Sequence, residues 1–269
     1  MSVAPPGLSA LLDALDDATS RFSALLRHVE DGSMSAIGDW TVGDVAAHMT
    51  HGFTEVYPAI VRGDGSTVTS TAGIARMTDA YLSTHPERDP QVLAGRIDDG
   101  HAEFQDNLRR RSPETELTWH AQIVLPVTAM SAIVLGEVLI HGHDVAVASG
   151  QAWSIDADSA RLATLGLVPL LPHYVDREAT AEVRARVLLI LRGGHGGRAR
   201  FVLTVDRGTL TVEVPGGRVD CRISADPTAF MLVSYGRLSP LRPALTGKIV
   251  AYGRKPWLGL KLSGWLTNP

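Results

Sequence analysis

The segment Glu137-Val138-Leu139-Ile140-His141-Gly142-His143-Asp144 places two carboxylates and two imidazoles in a stretch that is otherwise almost wholly apolar. Burying a charge is costly unless it is paired or bound to a metal, so Glu137 needs a partner. Glu137, His141 and Asp144 stand at i, i+4 and i+7, within about 60° of one line on a helix turning about 100° per residue. A carboxylate and an imidazole one turn apart can grip a single divalent cation, with a third ligand from elsewhere in a helical bundle. His48 is the candidate third ligand. It lies on the flank of its own predicted helix, about 120° from the centre of that helix's apolar stripe, a position that faces the interior if the helix is covered on more than one side. Three protein ligands leave a coordination position open, which separates a catalytic zinc from a closed structural one. Asp144 then supports the ligand set or the helix. The same spacing also suits a Glu–His pair hydrogen-bonded within a core, and periodicity alone does not choose between the two.

The elements that must position these residues are legible as periodic runs. Leu8, Leu11, Leu12, Leu15, Phe22, Leu25 and Leu26 recur at three and four, predicting a helix from Gly7 to about Val29. Thr41, three residues before Asp44, has the form of a capping box and opens a second helix running toward Arg62, with Pro58 as a kink near its end. Its Val42, Val45, Met49, Phe53, Val56 and Ile60 fall within roughly 40° of one line. Further helices are predicted over Thr71–Ser83, Pro90–Arg110 and Val127–Ser149, the last stopped by Gly150, and Leu117–Val124 reads as extended. Ser154–His173 adds a helix containing Pro169. Beyond about residue 180 the texture changes to strands over Val183–Leu191, Arg200–Val205, Leu210–Val214 and Cys221–Ser224, joined by glycine-rich turns. A helix capped at Asp226-Pro227, a strand near Gly247–Tyr252 and a final short helix complete the chain. The fold class expected is mixed, a four-helix bundle followed by a small α+β domain, divided as residues 1–175 and 180–269.

Two motifs carry a family resemblance. Trp40-Thr41-Val42-Gly43-Asp44-Val45-Ala46-Ala47-His48 resembles the W-T-x-x-D-L-x-x-H opening of the mycothiol-dependent maleylpyruvate isomerase family, a branch of the DinB-like metal-binding four-helix bundles. Glu137 to Asp144 is similar to its second signature, E-x-x-x-H-G-W-D. The resemblance spans about residues 8 to 150, and the tail resembles the sterol-carrier-protein-like domain that follows the bundle in many of these proteins. It implies metal ligands at His48, Glu137 and His141, a divalent metal, zinc above all, and mycothiol as cosubstrate. It also implies that basic residues of the tail, Arg237, Arg242 or Arg254, hold an anionic substrate. Two departures stand out: His143 where the family usually has Trp, and Gly43-Asp44-Val45 for the usual Arg-Asp-Leu.

With an open zinc holding the sulfur of a small thiol as thiolate, the implied activity is isomerisation through addition to an activated double bond, or thiol transfer to an electrophile. The alternatives are a hydrolase in which the metal activates water, and a non-catalytic metal- and ligand-binding protein. The remaining histidines carry less. His51 lies nearly opposite the apolar stripe and is expected to be exposed, and His143 is expected to pack or line a pocket. His28, His85, His101, His120, His173 and His195 read as surface or hydrogen-bonding residues. Cys221, the one cysteine, is expected to be a buried inert thiol.

The chain's 269 residues, 45% hydrophobic and 20% charged, suffice for a sizeable core and favour two compact units over one. A formal charge of −4 and the absence of a dense basic run argue against nucleic acid as a partner. Arg109-Arg110-Arg111 complements a helix C-terminus, and Gly193–Gly197 lies between strands and so reads as a turn rather than a phosphate loop. A start without a charged and apolar leader and apolar runs interrupted at Ser131, Gly136 and Glu137 argue against export and membrane insertion. The expectation is a cytoplasmic monomer or homodimer acting on a small-molecule thiol and an electrophile.

Overall fold

In a computed structural model, which describes residues 6–66, 68–194 and 197–267, the chain divides into two compact units that part between Ser154 and Ile155. The first unit is a bundle of α1 (Leu8–Arg27), α2 (Val42–His51) with α3 (Tyr57–Arg62), α5 (Pro90–Arg109) and α6 (Val127–Ser149). Short pieces connect them: the β1–β2 ribbon (Ser35–Ile37 and Trp40–Thr41), α4 (Thr71–Thr84), and the β3–β4 hairpin (Glu116–Thr118 and Val124–Pro126).

The capping box expected at Thr41 is formed. The Asp44 N–H donates to Thr41 Oγ1 at 3.1 Å, and the Thr41 N–H donates back to an Asp44 carboxylate oxygen at 2.9 Å. The other Asp44 oxygen accepts from Arg88 Nε at 2.6 Å, tying the start of α2 to the segment before α5. The close approach explains Gly43. A Cβ there would stand 2.7 Å from the Arg88 carbonyl oxygen and 2.8 Å from its Cβ, so the Arg usual in the resembling family has no room here.

Helical backbone runs from Val42 to Arg62 as expected, with a π-helical turn inside it. Residues Gly52–Val56 form the π-helical turn between α2 and α3, and Pro58 follows it directly, at the second residue of α3.

Helix α6 runs over the span expected, and nearly all of its residues are buried. Despite the interruptions at Ser131, Gly136 and Glu137, its length and hydropathy satisfy the requirements of a membrane span, yet 83% of the apolar window is covered within the structure. It is the core helix of the bundle, packed most closely against α1.

In the second unit a five-stranded sheet of order β7-β6-β5-β8-β9 is built from β5 (Arg184–Leu191), β6 (Ala199–Asp206), β7 (Thr209–Glu213), β8 (Cys221–Ala225) and β9 (Ile249–Gly253). All pairings are antiparallel except β5 with β8. Along β5 the buried residues Ala185, Val187, Leu189 and Leu191 alternate with more open ones, as a sheet with one covered face requires. They share a core with Phe201, Leu203, Ile223, Leu258 and Trp265. The helices of this unit are α7 (Ala157–Leu167), α8 (Pro227–Ser234), α9 (Leu241–Leu245) and α10 (Leu258–Lys261), and α7 gives way to a 3-10 segment at Val168–His173. Asp226 caps α8 by accepting from the Ala229 N–H at 2.8 Å, with Pro227 at the first helical position. Cys221 is fully buried in β8, and burial pushes its thiol above the usual range. His195 and part of the Gly193–Gly197 turn lie outside the described residues.

Candidate metal centre

The two motifs meet inside the bundle. Helix α2 brings His48, and α6 brings Glu137 and His141 one turn apart, so that one ligand atom from each lies within 4.8 Å of the other two. His48 Nε2 stands 3.7 Å and His141 Nε2 3.6 Å from the same Glu137 oxygen. A Glu–His pair satisfied by hydrogen bonding closes to about 2.7–3.2 Å. Here both nitrogens stay beyond that range. Their separations are close to the roughly 3.3 Å between ligand atoms that tetrahedral bonds of about 2.0–2.1 Å produce around zinc. His48 Nδ1 is buried with no hydrogen-bond partner, so the polar contacts of this ring are confined to its Nε2 edge. Two imidazole nitrogens and a carboxylate oxygen form a donor set suited to zinc, and the residues fit the group.

Asp144 completes the support of His141. Its Oδ2 is 3.2 Å from His141 Nδ1, and the residue is 4% exposed. A carboxylate on Nδ1 holds a proton there and directs the Nε2 edge toward Glu137, the arrangement found behind many metal-bound histidines, in which the cation takes the place of the Nε2 proton.

The electrostatics of the cluster follow from burial and crowding. Burial alone would raise Glu137, but the contacts and charges of His141 and His48 outweigh it and hold its carboxyl well below the usual range. Burial lowers His48, and Glu137 does not restore it. Burial also opposes the charge on His141, yet Asp144 and Glu137 prevail and push it up to about 9. The side of the cluster formed by Glu137 and His48 is open: their side chains keep 28% and 20% of their surface, against 10% for His141.

The walls of the site include residues that the sequence reading did not assign. Trp40, from the β1–β2 ribbon, lies 5.2 Å from the His48 ring and stacks near His141 at 6.4 Å and 27°. Its place in the first motif, eight residues before His48, was the available signal. His51, expected to be exposed, is 8% exposed. Tyr81 of α4 stacks on it at 3.9 Å and 12°, and His85 stacks on the far face of Tyr81 at 3.9 Å. Burial and the neighbouring histidines push His51 down to about 4. The covering residue comes from a separate helix, which the periodicity of α2 does not reveal.

His120 is also buried, at 6% exposure, in the 3-10 turn between β3 and β4. Burial pushes it down to about 4, and the charges acting on it come from Glu137 and His48. The two residues that follow it, Ala121 and Gln122, have φ of 55° and 60°. A left-handed backbone at a non-glycine residue costs roughly 1–2 kcal/mol, and strain of this kind gathers at functional sites. His143 is half-buried on α6, away from the trio's stripe.

Residues 12–146 match the mycothiol maleylpyruvate isomerase N-terminal domain. The chain belongs to this family. Residues 170–264 match the SCP-2 sterol transfer family, so the bundle of this mycothiol maleylpyruvate isomerase family member is followed by a sterol-carrier-like unit. Among solved structures, the chain is similar to a crystal structure of a mycothiol-dependent maleylpyruvate isomerase, with 15% identity and a TM-score of 0.54 over 91% of this chain and 93% of that one. It is likewise similar to a histidine-to-alanine mutant of a mycothiol-dependent maleylpyruvate isomerase, with 14% identity and a TM-score of 0.56 over the same shares of the two chains. At these identities the likeness establishes a shared fold. No curated protein matches the chain.

The three arginines of the tail differ in their surroundings within the second unit. Arg254 is ion-paired with Asp220, Arg237 donates to the Tyr235 carbonyl at 2.6 Å, and Arg242 is exposed on α9.

Proposed function

We propose that this protein is a zinc-dependent enzyme that uses mycothiol to isomerise, or transfer a thiol to, a small electrophile. The convergence of His48 Nε2, His141 Nε2 and a Glu137 oxygen at distances too long for hydrogen bonds carries the reading. Held by these three residues, zinc would supply the positive charge that keeps a small thiol in its nucleophilic thiolate form at neutral pH. The chain has no reactive cysteine of its own, since Cys221 is sealed in the sheet, so the sulfur arrives with the cosubstrate.

The chain's residues divide the remaining work. Asp144 holds the proton of His141 on Nδ1, so that Nε2 is the nitrogen that would give up its proton to become a ligand. Trp40 packs beside both imidazoles and forms one wall of the site. The open side at Glu137 and His48 admits the reactants. The sulfur adds to one carbon of an activated double bond, the bond loses its double character and turns, and departure of the same sulfur restores the double bond with inverted geometry and the thiol unchanged. In the transfer reaction the new carbon–sulfur bond is retained and the neighbouring carbon takes up the proton released by the thiol.

Metal analysis of the purified protein beside His48→Ala and His141→Ala tests the site, and turnover of maleylpyruvate with and without mycothiol tests the chemistry. About one zinc per wild-type chain, lost in both variants, with turnover that depends on the thiol, is the expected result. Equal metal in all three preparations refutes the ligand set, and turnover without thiol favours activation of water instead.

A further inference from the structure

The last stretch of the chain differs in charge from everything before it. Residues 227–269 hold six lysines and arginines and no aspartate or glutamate, while the 226 residues before them carry a formal charge of −10. The same stretch concentrates exposed apolar surface. Of the nine large hydrophobic side chains that stand exposed among the described residues, six fall between Leu241 and Leu260. The other three are valines on separate elements of the first unit, the scattered kind that any surface carries.

The six belong to one edge of the second unit. Strand β9 is an outer strand of the sheet, and its Val250 and Tyr252 point away from the core that Ile249 and Ala251 join. Helix α9 packs against β9. So does α10, where a Cβ on Gly259 would stand 2.6 Å from the Ala251 Cβ. On these flanking helices Leu241, Leu245 and Leu260 are 67–88% exposed, and Trp257, just before α10, is 54% exposed. The cations beside them are not neutralised. Arg242, Lys248 and Lys261 are exposed without an acidic partner among the described residues, and Arg254 and Lys255 share the one carboxylate of Asp220.

Charge selects the occupant. A second copy of the chain brings like charges together, since antiparallel pairing of β9 with itself about Ala251 sets Lys248 against Arg254. Nucleic acid matches the cations but leaves the leucines in water. An anionic bilayer surface satisfies both, because aliphatic and aromatic side chains settle at the headgroup boundary while lysine and arginine meet the lipid phosphates.

We infer that this edge of the second unit docks on the surface of an anionic lipid bilayer, with Leu241, Leu245, Trp257 and Leu260 entering the headgroup boundary and the neighbouring lysines and arginines holding lipid phosphates. The docking is peripheral and spans nothing. It goes beyond the function proposed above and does not depend on the metal centre.

The test is flotation of the full-length protein with vesicles of phosphatidylcholine alone and with vesicles in which about a third of the lipid is phosphatidylglycerol, at about 0.1 M salt. Binding to the anionic vesicles is expected to be about tenfold tighter or more, to weaken as salt is raised, and to shift tryptophan emission to the blue in a way that Trp257→Phe loses. The double variant Leu245→Ser with Leu260→Ser, altered only at exposed positions, is expected to keep its Tm and to bind about tenfold more weakly. The comparison of the two vesicles needs no variant to fold. A wild type that does not float with the anionic vesicles overturns the inference. So does undiminished binding by the folded double variant, which reduces the contact to charge alone. A solution dimer that the double variant dissociates gives the edge to a second copy instead, and binding of a DNA duplex in preference to the anionic vesicles gives it to nucleic acid.

Discussion

Gly142 follows His141 on α6, and a Cβ placed on it would stand 2.2–2.6 Å from three atoms of the Trp153 indole. A methyl group cannot share that space, so Gly142→Ala must displace the ring. The indole N–H donates to the Leu139 carbonyl at 3.0 Å, a bond contributing about 1 kcal/mol. Its edge contact with Phe22, centroids 6.5 Å apart at 79°, contributes about 0.5–1.5 kcal/mol. The Arg21 guanidinium 4.7 Å from the ring centroid adds about 0.5–1 kcal/mol. Against these losses, alanine is better than glycine inside a helix by about 1 kcal/mol. The net cost is then about 1–2.5 kcal/mol, a fall in Tm of roughly 2–10 °C for a unit of this size. Thermal unfolding followed by circular dichroism measures it, best as a cycle with Trp153→Ala. In that background Gly142→Ala should become neutral or stabilising by up to about 1 kcal/mol, because the atoms it met are gone. The same destabilisation in both backgrounds would refute the steric account. So would an unchanged Tm in the single variant.

Asp144→Asn removes the charge behind His141 while keeping an acceptor near Nδ1, and competition with a chelator should reveal zinc binding weaker by about 10–100-fold. Asp44→Asn weakens the capping box and the ion pair with Arg88, and a loss of about 1–2 kcal/mol is expected in denaturant titration at pH 7. Burial alone would raise the Asp44 carboxyl, but its bonds to Thr41 and its contact with Arg88 prevail and hold it below the usual range. Its stabilisation is therefore complete above the unfolded carboxylate value and is lost as pH falls through the lower folded value. The difference between wild type and Asp44→Asn should accordingly shrink below about pH 4, and a constant difference down to pH 2.5 would contradict this linkage.

The residues that the sequence made legible share one property: their spacing within a single helix reports their direction. Glu137, His141 and Asp144 could be placed on one stripe because α6 is a long, regular helix, and its observed limits coincide with those predicted. His48 followed from its own helix and from the first motif. What could not be read depends on segments brought from far away. His51 is covered by Tyr81 of α4, and His120 is held by Ser66 across 54 positions. Neither contact leaves a period in the chain. The π-helical turn at Gly52–Val56 was equally invisible, because the apolar positions through it still fit a helical stripe and Pro58 suggested only a bend.

The sealed position of Cys221 has a practical consequence. The native polypeptide offers alkylating agents and peroxides no sulfhydryl handle, so its intact mass after iodoacetamide treatment should stay unshifted until the fold is opened. If the proposed thiol dependence holds, electrophilic stress would reach the protein through depletion of the soluble thiol pool, and replenishing that pool after removal of the stressor would restore turnover.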